Sequence, residues 1–491
     1  MKVYESLYDW QKVFAESKPQ DYFVKTFGLK RAKIALGKNY DPDDKCERIG
    51  YFLRMGTGKT KITVAKAELN NADCLFITSL RSKVVAGEEK GEFGWEAKLA
   101  GYKVYYAHKA WDEEGNLTIL GMASKKQQKA MEEDVKNKVK IAYVFNHEHI
   151  TTKKGYQRLV WLASQYRNIT WIIDEAHKLT NYKSRLAMRV HDMLYKFNTP
   201  EVVIKLRPLK KERKEALAAG DMEKVKECDE LEYIARRNVF RENITGFYLA
   251  TGTPNSNGYQ SFYWLLTLLG YRWKYTGKVL VDEEVVEKTF TGYGAFFEEF
   301  CVEDTWVQRF NPYARAIKGY KKTGKLLDIV QQFAFFAKTS NYFKGMPNRL
   351  VETVWIPKHE SYDKMINPDK KNPTYRVFGG YIADTPALLG LRGRQLASGF
   401  MGNARDSDYY HTNKTEILEE LLKNNPDNYL IFYNYTPELY LILSAAQEAG
   451  YNVDIYNGEQ KSQANFRKAK GEKGEKNLLI ANIASGSAAL N

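Results

Sequence analysis

The run Arg54-Met55-Gly56-Thr57-Gly58-Lys59-Thr60 constrains this chain more than any other stretch, because few backbone paths accept it. Gly56 and Gly58 permit positive φ, so successive N–H groups can turn inward and form an anion nest at a helix N-terminus. Lys59 can then reach the β- and γ-phosphates of a nucleotide, and the Thr60 hydroxyl can sit on a magnesium ion. Tyr51-Phe52-Leu53 predicts a buried strand before the loop. The stretch 61–69, apolar at Ile62, Ala65 and Leu69, predicts the helix after it. A strict phosphate-loop pattern has Gly where this chain has Leu53, so the strand-turn-helix context carries the assignment. Residues Met55 to Thr60 are the expected nucleotide contacts.

About 115 residues beyond Lys59, Trp171-Ile172-Ile173 is a short apolar run of the kind found in parallel sheets covered on both faces. It delivers Asp174 and Glu175 to the carboxyl end of a strand, where open α/β sheets place ligands. There Asp174 can hold magnesium through water, while Glu175 orients and deprotonates an attacking water. Each motif alone has a plainer explanation: a solvated glycine turn, or acids that suit a helix dipole. Together they describe an α/β chain that binds ATP with magnesium and hydrolyses it, with Lys59, Asp174 and Glu175 as the catalytic set.

At 491 residues the chain is long enough for two or three domains with full-sized cores. A formal net charge of +15 and a pI near 9.2 favour a polyanionic partner, though basic charge also serves solubility. Cys46, Cys74, Cys228 and Cys301 are scattered without C-x-x-C spacing, which argues against a zinc site or a disulfide framework. No apolar run approaches membrane-spanning length and the start is polar, so a cytoplasmic protein is expected. Aromatic residues make up 14% of the chain, more of them for the core than for base stacking.

Further motifs follow in a fixed order. They include Leu7-Tyr8-Asp9-Trp10-Gln11, Cys74 to Leu80 with Trp95-Glu96, Ala142 to Glu148, Asp174 to Ser184 and Leu249-Ala250-Thr251-Gly252-Thr253-Pro254. Weaker ones run through Phe335 to Thr339, Leu391 to Gln395, Leu430 to Thr436 and Leu478 to Ser487. In this order they resemble the superfamily-two helicases, and the acid-box continuation with its Lys, Asn and Ser resembles the Swi/Snf-type DNA translocases. The resemblance implies two RecA-like parallel-sheet lobes with helical insertions, and ATP in the cleft between them. It implies Gln11 as an adenine contact, and His177, Thr251, Gly252 and Thr253 as coupling residues. It also implies Thr78, Ser79, Asn146, Thr436, Ser485 and Gly486 as nucleic-acid contacts, the partner being double-stranded DNA. An RNA-directed helicase of the same superfamily, and a nucleotide-gated nucleic-acid-binding protein with little turnover, remain as alternatives.

The boundaries implied are a first lobe over 1–270, a helical connector over 271–345 and a second lobe over 346–491. The stretch 197–243 is extra by family standards, and 206–239, broken at Ala219-Gly220-Asp221, predicts a charged helical hairpin. Another insertion spans 17–45, and 367–386 predicts a surface loop. The sequence reaches Asn491 just inside the fifth-motif match, before the arginine-bearing sixth. The expectation is therefore a truncated second lobe, slow turnover and an unpaired sheet edge beside 478–483.

Overall fold

The computed structural model describes residues 2–36, 45–54, 56–80, 83–84, 92–111, 117–120, 125–195, 211–228, 239–281, 284–305, 315–337, 342, 351–357, 362, 377–378, 381–403, 406–409, 413–457 and 476–483. Met55, Ser485 and Gly486 lie outside them. The chain forms two compact units, Met1–Met346 and Pro347–Asn491.

The first unit is built on β1 (Glu47–Leu53), β2 (Cys74–Ser79), β3 (Lys103–Trp111), β4 (Leu117–Leu120), β5 (Ile141–Asn146), β6 (Ile169–Asp174) and β7 (Ile244–Ala250). A hairpin, β8 (Lys274–Val281) with β9 (Glu284–Thr291), and a short ladder, β10 (Cys301–Glu303) with β11 (Ile317–Tyr320), precede β12 (Ala334–Ala337). The main sheet has the order β12-β1-β7-β6-β2-β5-β3-β4. Its first seven strands run parallel, and β4 pairs antiparallel at the edge.

The strands are apolar at nearly every position because both faces are covered. Alternate residues feed two separate cores: Phe52, Phe76, Phe145, Trp171 and Phe247 point to one, and Tyr51, Leu75, Val144, Ile172 and Tyr248 to the other. The helix Lys59–Leu69 and the first N-terminal helices cover the second face through Ile62, Val64, Ala65 and Phe14. The fold is α/β with a RecA-like parallel sheet: the apolar runs predict the buried parallel strands, and the resemblance implies the RecA-like form.

Among the described residues, 271–345 do not form a separate helical connector. Their last strand, β12, pairs parallel with β1, and Phe335 stacks on Phe14 with ring centroids 4.5 Å apart. The helix Thr323–Phe333 before it packs against the N-terminal insertion, where Arg31 makes a two-pronged bond to Asp328 at 2.7 and 2.8 Å. The N-terminal insertion thus braces a helix about 300 residues further along the chain. The extra segment before β7 is helical over 211–219 and 222–228, and it breaks at Gly220, whose φ is +74°.

The second unit carries two small hairpins, β13 (Val377–Phe378) with β14 (Tyr381–Ile382) and β15 (Phe400–Asn403) with β16 (Asp406–Tyr409). Its parallel sheet comprises β17 (Tyr429–Tyr433), β18 (Asn452–Tyr456) and β19 (Asn477–Asn482), in the order β17-β19-β18. The expected unpaired edge beside 478–483 is not there. β19 is the central strand, paired parallel with β17 and with β18. Leu422, Leu439, Tyr451, Leu478 and Ile480 form the core under this sheet.

A close approach explains one residue choice in β1. A Cβ on Gly50 would lie 2.6 Å from Ala334 Cβ of β12. Gly50→Val should therefore loosen the β1–β12 pairing and cost about 1–3 kcal/mol, as overpacking does. Denaturant unfolding checks this; an unchanged midpoint would show that β12 yields freely.

Candidate active site

Parallel strands bring their carboxyl ends to one edge of the sheet, and four of them matter. β1 ends in the glycine loop, β6 in the acid pair, β7 in Thr251-Gly252-Thr253-Pro254 and β2 in Ser79. Because β7 lies between β1 and β6, the Thr251 loop stands between the glycine loop and the acids.

Within the loop, Gly56 and Gly58 have φ of +77° and +75°, and Gly58 caps the helix Lys59–Leu69. Gln11, assigned to an adenine base by resemblance, is buried against this loop. Its Nε2 donates to Thr57 O at 2.8 Å and its Oε1 accepts from Tyr8 N at 2.9 Å. The carboxamide therefore holds the loop from behind. The Lys59 ammonium donates to Arg54 O at 3.4 Å. Burial lowers its pKa from the ordinary value, against the charges of Asp174 and Glu175, which favour the ammonium form. Thr60 is half-buried in the first turn of the helix.

Asp174 is nearly buried at the tip of β6 and accepts from Ser79 Oγ at 2.8 Å. Glu175 has φ +53° and ψ +45°, a left-handed conformation that is costly for a residue with a Cβ. That twist opens a short 3₁₀ turn, Ala176–Leu179. His177 Nδ1 lies 3.3 Å from Glu175 Oε2 and 3.4 Å from Thr251 Oγ1. Thr251 Oγ1 accepts from Thr253 N at 3.2 Å, and Thr251 N donates to Tyr51 O at 3.1 Å. One chain of contacts therefore runs from Glu175 to His177 Nδ1, from there to the Thr251 loop and on to β1. The sequence-assigned coupling residues His177, Thr251 and Thr253 lie on it, with Gly252 between the two threonines.

Lys83 was not anticipated. Its ammonium lies 3.1 Å from Asp174 Oδ2 and 2.5 Å from Glu175 Oε1. Burial would raise the Glu175 carboxyl, but the hydrogen bond and charge of His177 and Lys83 outweigh it and hold it at about 2. No pattern in the sequence singles out Lys83, since its partners lie about 90 residues away.

The nucleic-acid contacts implied by resemblance are placed differently. Thr78 is buried and accepts from Trp171 Nε1 at 2.9 Å, Ser79 is buried against Asp174, and Asn146 is buried with its Nδ2 donating to Glu148 at 2.6 Å. These three end fully buried strands, so their polar atoms serve the strand ends. Trp95 and Thr436 are exposed. The acid-box continuation has another setting: Thr180, Asn181 and Lys183 line a polar cavity of about 600 Å³ with Asn257, Gln260 and Arg315.

Asp174 and Thr60 offer hard oxygen donors, which suits magnesium: it takes one or two protein oxygens and completes its shell with water and phosphate. The Lys83 ammonium at Asp174 shows that this carboxylate accepts a cation. No cluster of three or more His, Cys, Asp or Glu side chains converges among the described residues, so no all-protein metal cage is formed there. Among those residues, no helix is long and apolar enough to cross a membrane. The chain is matched by no protein-family model and by no curated protein.

His147 follows β5 and hydrogen-bonds the Asp174 backbone, and its Nε2 is buried with no partner among the described residues. Burial pushes its pKa down from 6.5 to about 4, against the charges of Glu148 and Asp174. The folded protein thus keeps His147 neutral, while the unfolded chain takes up a proton below about pH 6.5. Stability should fall as pH drops through the window from 6.5 to 4, by of order 3 kcal/mol. Glu175, depressed from 4.5 to about 2, loses its contribution in a lower window, as pH falls from 4.5 through 2. Chemical denaturation across pH checks the first window. His147→Phe should flatten the slope there, and an unchanged slope would assign it to other groups.

Proposed function

We propose that this chain is a magnesium-dependent ATP hydrolase of the helicase type, a motor that tracks along nucleic acid and takes duplex DNA as its track. The observation that carries this reading is the convergence of the glycine loop, the acid pair and the Thr251 loop at one sheet edge, joined by His177.

The loop's N–H groups and Lys59 would hold the phosphates, and Asp174 with Thr60 would hold magnesium. When bound, the metal supplies charge neutralisation between the phosphate oxygens. Glu175 is ionised and aimed by its left-handed backbone, so it can accept a proton from water. Gln11 fixes the loop against the N-terminal helix. Any change at the acid pair reaches Thr251 through His177, which gives hydrolysis a mechanical outlet.

Support for a nucleic-acid track comes from the motif order and from the net charge of +15, which suits contacts to a phosphate backbone. Backbone contacts of that kind position a protein without reading sequence. Four free, buried cysteines fit a reducing compartment, and we place the protein in the cytoplasm.

Lys59→Ala should lower ATP turnover by about 10²–10³-fold and weaken nucleotide binding. Glu175→Gln should lower turnover by about 10²–10⁴-fold while ATP still binds. Steady-state ATPase assays with duplex DNA, with RNA and with neither test both. Full activity in Lys59→Ala would overturn the assignment. Stimulation by RNA alone would move the track to RNA, and binding without turnover in the unaltered protein would leave a nucleotide-gated binding protein.

A further inference from the structure

The residue that meets the acid pair is Lys83, although Lys59 is the lysine that the phosphate-loop motif provides. Lys83 Nζ sits between the two carboxylates, 3.1 Å from Asp174 Oδ2 and 2.5 Å from Glu175 Oε1, with its side chain only 16% exposed. The next residue, Val84, is fully buried and its N–H bonds Leu80 O at 3.0 Å. Two carboxylates this close, and this far from water, require a counter-charge. Removing one partner of such a group leaves an uncompensated buried charge.

Asp174 Oδ2 accepts from Ser79 Oγ as well as from Lys83, so a divalent ion on either oxygen of this carboxylate would meet the ammonium. A divalent ion held there would share a carboxylate with an ammonium at contact distance, and two positive charges at that separation repel strongly away from bulk water. We propose that Lys83 is a tethered counter-ion of the acid pair, exchanged for the divalent metal when the site is loaded, so that it sets the metal affinity of the nucleotide-free protein. This rests on reading the acid pair as part of an ATP site.

The probe is Mn²⁺ alone, titrated into the nucleotide-free full chain and followed by electron paramagnetic resonance. Lys83→Met should bind Mn²⁺ at least about ten-fold more tightly than the unaltered protein, a difference of about 1.4 kcal/mol. Lys83→Arg, which keeps the charge, should bind as weakly as the unaltered protein. Adding Asp174→Asn to Lys83→Met should abolish the gain. Thermal unfolding gives a second readout: Lys83→Met should melt lower without metal and recover when Mg²⁺ is added, whereas the unaltered protein should respond little. If Lys83→Met proves too unstable to titrate, Lys83→Gln takes its place. Equal Mn²⁺ affinity in the charge-removing variant and the unaltered protein, or a melting loss that Mg²⁺ does not restore, would overturn the proposal. The titration needs no nucleotide, so it reads Lys83 separately from ATP binding. Failure of the ATP reading would appear instead as nucleotide affinity unaffected by Lys59→Ala.

Discussion

The adjacent carboxylates of Asp174 and Glu175 are the constraint around which the site is arranged. A buried strand delivers them to a place with little water, and their charge must be balanced there. Ser79 donates to one, His177 approaches the other, and Lys83 joins both. Ser79 and Lys83 come from the end of β2 and the residues after it, about 90 residues before the acids, while His177 comes from the turn that follows them. The left-handed backbone at Glu175 is held by that surrounding packing.

The sheet makes this possible. Parallel strands deliver all their following loops to one edge, and helices on both faces keep the strands dry. Inserting β7 between β1 and β6 places Thr251 within reach of His177, which sits just past the acid pair. His177 Nδ1 then lies within reach of both the Glu175 carboxylate and the Thr251 hydroxyl. The two N-terminal features have structural tasks beside this. Gln11 supports the glycine loop, and the insertion carrying Arg31 braces the helix that leads to β12.

Much of the core site was legible because its chemistry is written in short runs. Gly56 and Gly58 need positive φ, and the structure has it at both. Trp171-Ile172-Ile173 is apolar because it crosses a two-sided core, and Asp174 follows at the strand tip. The setting of the other polar strand ends was less legible. Thr78, Ser79 and Asn146 are polar residues at strand ends, and a polar residue there can face outward or satisfy an inner partner. Their sequence context is the same in both cases, and only the neighbouring strands decide.

The sequence alone determined the local events: which runs form strands, where the glycine loop turns and which carboxylates end β6. These depend on periodicity, backbone freedom and spacing over a few residues, all of which are local. The tertiary structure alone decided that β12 joins β1, that β19 lies between β17 and β18, and that Lys83 reaches the acid pair. Strand order and long-range ion pairs depend on how loops return across a sheet, and no short stretch of sequence encodes the partner. The sequence therefore supplied the acids, while the fold chose the cation that answers them.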